Sequence, residues 1–211
     1  MAWHEVERAQ LVETLRAVPF EAPTLCEGWQ ARHLAAHIML RERSPRVGLE
    51  LAVPALNARS DAAVERRAAL VTDTPSYLEL VDEVAAGAPV WHPGRWAGDL
   101  TNVTEFFVHT EDVRRGAGPV PPRALDPELV EALWHQASQV ARLRLHGVAA
   151  GVVLVRPDGV RRRVHDPKPG HGAVVVRGDV GELVLWLTGR LRAADVRFEG
   201  HPDDVAALPH D

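Results

Sequence analysis

Glu105 and His109 lie one helical turn apart in the run Asp99 to Arg115, so a helix there carries both on one face, with Asp112 a further turn along. A carboxylate and an imidazole at that spacing can grip one metal ion together. Leu100, Val103 and Phe107 fall on the other side and give the helix a separate apolar stripe. A third ligand is available in His37, which sits between Leu34 and Ile38 on the inward side of another amphipathic stretch. Two imidazoles and a carboxylate hold an ion while leaving positions for water, thiolate or substrate. That is the ligand set of an open zinc site, and equally of a non-haem iron site. The residues alone leave a plainer reading open, a surface glutamate beside a capped histidine with His37 hydrogen-bonded in the core.

The neighbours of these three carry the remaining chemistry. Asp112 can orient the His109 imidazole, act as general base or face solvent. Arg41, one turn past His37, can meet a substrate carboxylate or form a surface ion pair. Asp112 and Arg41 are therefore the candidate catalytic residues. Arg114 and Arg115 close a helix C-terminus, where cations are favourable in any case. Cys26, with no histidine adjacent in sequence, reads as a buried small residue rather than a nucleophile. Trp29, Trp91 and Trp96 read as core or loop anchors, and His165, His171 and His201 as surface residues. A serine-hydrolase triad lacks its Gly-x-Ser-x-Gly elbow, and no glycine loop suited to phosphate is present.

The elements that must position these groups follow from hydrophobic period and punctuation. Helical patterns cover residues 2–18, 30–42, 59–71, 76–86, 99–115 and 126–146. In the first, Glu5, Glu7, Arg8 and Glu13 supply a wet side to Leu11 and Leu15. Between them, Thr24 to Trp29 is a turn, 47–57 an irregular or short-helix crossover, and 88–98 an aromatic loop suited to covering something. Beyond Gly147 the period shortens to that of strands at 152–156, 160–165, 173–177 and 196–199, with helices at 179–192 and 202–207. The expected division is a helical bundle over 1–147 and a small α+β domain over 148–211.

Composition narrows the class. At 211 residues the chain can bury a core without staples, and its single cysteine excludes an internal disulfide and any multi-cysteine zinc site. A formal charge of -5 disfavours nucleic acid and anionic membrane as partners, since both want a basic face. The first twenty residues are too charged for a signal peptide and no long apolar run follows, so the expected location is cytoplasmic. Nothing in the chain decides between a monomer and a homodimer.

Two runs carry a family resemblance. Thr24-Leu25-Cys26-Glu27-Gly28-Trp29-Gln30-Ala31-Arg32-His33-Leu34-Ala35-Ala36-His37, followed by Leu40-Arg41-Glu42-Arg43, resembles the N-terminal motif of the mycothiol-dependent maleylpyruvate isomerase family, within the DinB-like thiol-dependent superfamily. Glu105 to Arg115 resembles that family's second metal motif. The resemblance covers residues 1–147 well and the tail loosely, and it is nearest a branch with no assigned reaction. His33 departs from the acidic residue that the motif carries before its leucine. It implies a mainly α fold, an up-up-down-down four-helix bundle followed by a small α+β C-terminal domain. It further implies a divalent metal, usually zinc, on His37, Glu105 and His109, and mycothiol or another low-molecular-weight thiol as cosubstrate. The expected activity is thiol-dependent isomerisation or S-conjugation of a small electrophilic molecule. The alternatives are a non-haem iron enzyme on the same ligands and a non-catalytic metal-binding or regulatory protein.

Overall fold

The computed structural model describes residues 2–52, 57–89 and 99–209. The chain divides into two compact units, Met1–Val120 and Pro121–Asp211. The first holds six helices among its described residues: α1 (Trp3–Arg16), α2 (Ala31–Arg43), α3 (Pro45–Ala52), α4 (Asn57–Ala68), α5 (Thr74–Ala86) and α6 (Asp99–Arg115). The crossover expected at 47–57 is thus helical as far as Ala52. The tip of the expected aromatic loop, residues 90–98 with Trp91 and Trp96, lies outside the described residues.

Helix α1 packs on α5 and α6, and α2 packs on α3, α4 and α5. Leu11, Leu15, Leu34, Ile38, Tyr77, Leu80 and Phe106 meet in their shared core. Each buried aliphatic side chain of this kind contributes about 1.5–3 kcal/mol. Good caps fix where the helices start. Asp73 accepts from the Ser76 backbone N–H at 2.9 Å and Pro75 occupies the first turn of α5. The wet side expected of α1 is only partly wet. Glu7 is buried, and Arg8 makes two hydrogen bonds to buried Glu42 of α2 while lying 4.5 Å from the Phe106 ring centroid. A helix covered by neighbours on two sides must bury part of its polar face, and the Arg8–Glu42 pair makes that burial tolerable.

The second unit contains α7 (Pro127–Arg144), β1 (Gly151–Val155), β2 (Arg161–His165), β3 (Ala173–Arg177), α8 (Val180–Leu187), β4 (Arg197–Glu199) and α9 (Pro202–Ala206). Its sheet runs β2-β1-β3-β4, with β1 antiparallel to β2, parallel to β3, and β3 antiparallel to β4. Helix α7 packs against α8 and β2, so the compact unit begins at residue 121 rather than at the expected 148. Buried Leu129, Leu133 and Ala137 give α7 an apolar face for these partners, a destination that helical period alone does not reveal. Helix α8 stops at Leu187, short of the expected Arg192, because Gly189 takes φ +86° and breaks it; a 3-10 turn follows at Leu191–Ala193. His171 is exposed, as expected of a surface residue, and is paired there. Its Nδ1 lies 2.9 Å from Asp204, which also accepts from the Gly172 N–H at 3.0 Å. No helix among the described residues is long and apolar enough to cross a membrane.

Candidate metal centre

Helix α2 is capped by Gln30, whose N–H donates to the His33 Nδ1 at 3.1 Å. His33 is therefore occupied at the helix start and by Glu65, 3.2 Å away, rather than at the site. One turn later Leu34 and Ile38 enter the core, and this rotation brings His37 to face α6. On α6, Val103 and Phe107 are buried as expected from the apolar stripe, and Phe106 is fully buried with them. Glu105, His109 and Asp112 occupy successive turns.

The Glu105 Oε1 lies 3.2 Å from the His37 Nε2 and 3.4 Å from the His109 Nε2. One ligand atom from each of the three residues falls within 4.8 Å of the others. Donors around a tetrahedral ion with bonds of about 2.1 Å sit about 3.4 Å apart, so the carboxylate already has the spacing the ion needs to both imidazoles. The His37 and His109 rings meet edge to face at 5.1 Å, and both are at least nine-tenths buried. The three residues fit a divalent metal by donor type, spacing and burial.

Electrostatics separates the three groups. Burial opposes the charged form of Glu105, yet the Arg41 charge and hydrogen bonds from His109 and His37 outweigh it and hold the carboxyl well below its usual range. Burial likewise opposes protonated His109, but hydrogen bonds to Asp112, Cys26 and Glu105 raise its pKa well above the usual imidazole value. His37 goes the other way. Burial lowers its pKa, and the charges of His109 and Arg41 add to that against the Glu105 hydrogen bond. The surroundings thus favour the proton on His109, the neutral form of His37 and the ionised form of Glu105.

Asp112 is fully buried, which removes the solvent-facing reading. Its Oδ2 accepts from the His109 Nδ1 at 2.8 Å, the arrangement that fixes a ligating imidazole with its Nε2 forward. Arg41 is drawn inward instead of pairing at the surface. Its Nε lies 3.4 Å from the Glu105 Oε1 and its Nη1 donates to the Asn102 Oδ1 at 3.0 Å. Arg114 and Arg115 do more than close a helix. Both pair with Glu111, a carboxylate with no exposed surface.

Two residues at the site escaped the sequence reading. The Cys26 thiol donates to the Asp112 Oδ2 at 3.3 Å, and with His109 and Asp112 forms a second group of possible metal donors. The Trp29 ring packs 5.3 Å from that of His37. Both belong to the run ending at His37, but the contact of Cys26 with Asp112 spans 86 positions, beyond any local period.

The first unit packs its helices around a buried two-histidine, one-carboxylate cluster, and the second carries a small mixed sheet. The chain shares this fold with solved structures of mycothiol-dependent maleylpyruvate isomerase. A histidine-to-alanine mutant of that enzyme superposes with a TM-score of 0.64 at 17% identity, over 93% of this chain and 90% of that one. Another structure of the isomerase gives 0.56 at 16% identity over the same shares. No family model and no curated protein sequence matches the chain.

Proposed function

We propose that His37, Glu105 and His109 bind one divalent metal, zinc by preference, and that the protein uses it with a low-molecular-weight thiol to isomerise or S-conjugate a small electrophilic molecule. The observation that carries this reading is the convergence of the three donors at 3.2 and 3.4 Å. A bound divalent ion supplies the Lewis acidity that keeps a coordinated thiol deprotonated at neutral pH. The rest is the work of the chain. Arg41 keeps Glu105 ionised, Asp112 points the His109 Nε2 forward, and burial keeps His37 neutral and ready to donate its lone pair. The fold-sharing structures are of an enzyme named for mycothiol and maleylpyruvate, which makes that pair the first to test. On this reading α1, α2, α5 and α6 form the up-up-down-down bundle, and the protein acts in the cytoplasm as a monomer or homodimer.

The test is elemental analysis of protein purified without added metal, followed by a mycothiol-dependent assay on maleylpyruvate and related electrophiles. One equivalent of zinc and thiol-dependent turnover support the proposal. One equivalent of iron redirects it to oxygen chemistry, and background metal overturns it.

Two consequences can be measured directly. Asp112→Asn keeps an acceptor near His109 but removes the charge, so metal affinity is expected to fall about 10–100-fold in competition with a chelator. Binding should also release a proton. His109 holds its proton more tightly than a free imidazole and must give it up to coordinate, so affinity rises with pH and levels off only above its raised pKa. Calorimetry in buffers of different ionisation enthalpy checks this, with close to one proton released per ion at neutral pH.

A further inference from the structure

The last turns of α6, which carry His109 and Asp112, are held from outside by a segment far away in sequence. The Leu25 N–H donates to the Asp112 backbone carbonyl at 3.0 Å, so a peptide of another segment satisfies a carbonyl near the end of the helix. The Cys26 thiol donates to the side chain of the same residue. At Gly116 a Cβ would lie 2.0 Å from the Pro23 carbonyl oxygen, so only glycine lets the two backbones approach this closely. Side chain, backbone and packing therefore join residues 23–26 to Asp112–Gly116 in three ways.

The segment is itself rigid. The Thr24 Oγ1 accepts from the Cys26 N–H at 3.2 Å and donates to the Trp29 carbonyl at 2.9 Å, and the Trp29 N–H donates to the Cys26 carbonyl at 2.9 Å. Gly28, at φ +75°, supplies the left-handed residue that closes the loop. A Pro23–Gln30 bridge ties its ends together where α2 starts. From this closed turn two side chains reach two different histidines. Cys26 touches the carboxylate behind His109, and Trp29 packs on the ring of His37.

The geometry points to the Thr24–Trp29 turn as a positioning element of the metal centre, with Cys26 fixing Asp112 against His109 and Trp29 fixing the plane of His37. The inference rests on the metal reading proposed above and adds to it a role for the chain's single cysteine that is neither ligand nor nucleophile. The need is evident at both imidazoles. The Asp112 Oδ2 is shared by His109 and Cys26, so the thiol proton helps to hold the carboxylate in the rotamer that faces the imidazole. Among the described residues the buried His37 Nδ1 has no hydrogen-bond partner, so ring packing must do for His37 what Asp112 does for His109.

The test titrates Co2+ into the metal-free wild type and five variants, reading affinity and the ligand-field absorption of the bound ion. Cys26→Ala and Cys26→Val remove the donor, and Cys26→Ser keeps it. Trp29→Leu removes the ring, and Trp29→Phe keeps one. Loss of the donor or the ring is expected to weaken binding about 3–10-fold, below the 10–100-fold typical of a group bonded directly to a ligand, and to shift the absorption. The serine and phenylalanine variants should remain within about twofold of the wild type. Valine is close to cysteine in volume, so it carries the test if the alanine variant does not fold. Wild-type affinity and absorption in Cys26→Val and Trp29→Leu would overturn the inference while leaving the metal site standing. A wild type that takes up no Co2+ would overturn the metal reading itself.

Discussion

His109→Ala is expected to reduce bound metal to background after dialysis and to weaken metal affinity by more than a hundredfold. Site-wide binding free energies of about 10–16 kcal/mol, shared over four coordination positions, put roughly 2.5–4 kcal/mol on each ligand. His109 should lie at or above that share, because its orientation is fixed in advance by a 2.8 Å bond to an aspartate with no exposed surface. The substitution also leaves the charge of Glu105 without one of its two histidine partners. His37→Ala should act in the same direction. Its loss is the smaller of the two, since among the described residues the His37 Nδ1 has no hydrogen-bond partner and ring packing alone presets it. Chelator competition separates the two variants, and thermal unfolding of the metal-free proteins separates metal loss from misfolding. Wild-type metal content in His109→Ala would remove His109 from the ligand set.

Glu111→Ala is expected to cost about 3–5 kcal/mol of stability without touching a ligand. The Glu111 carboxylate accepts from Arg114 at 2.7 and 2.8 Å and from the Arg115 Nε at 2.7 Å, and Arg115 is only 5% exposed. Removing the carboxylate takes a charged partner from buried Arg115 and from partly exposed Arg114. A loss of that size lowers the unfolding midpoint by on the order of 10 °C in a unit of this length. The exposed Arg177–Glu199 pair is the control. Both of its side chains are about half exposed, so Glu199→Ala should cost no more than about 1 kcal/mol. Equal effects from the two substitutions would show that the Glu111 cluster is solvated after all.

Much of the helical unit was legible because its signals are local. The spacing of Glu105 and His109, the apolar stripe with Val103 and Phe107, and the inward face shared by Leu34, His37 and Ile38 are all set by a 3.6-residue period. What could not be read depends on which surfaces meet. The burial of Glu7 follows from the covering of α1 by α5 and α6, and the assignment of α7 to the second unit follows from its packing on α8 and β2. Arg41 has the same sequence context whether it faces solvent or Glu105, and only the approach of α6 to α2 decides between them. Cys26 is the clearest case. Local reasoning sees a small residue in a turn, whereas the fold brings its sulfur to the carboxylate behind His109. The local period therefore located the ligand candidates, and tertiary contacts supplied the residues that orient them.

The proposed centre on His37, Glu105 and His109 is a metal site open to a thiol. The most direct test is the absorption spectrum of the Co2+-substituted wild type before and after addition of mycothiol. One equivalent of bound Co2+ is expected, with a ligand-field spectrum of low coordination number and a new sulfur-to-cobalt charge-transfer band that saturates at one thiol per protein. Failure to bind Co2+, or a bound ion whose spectrum does not change with thiol, would contradict it.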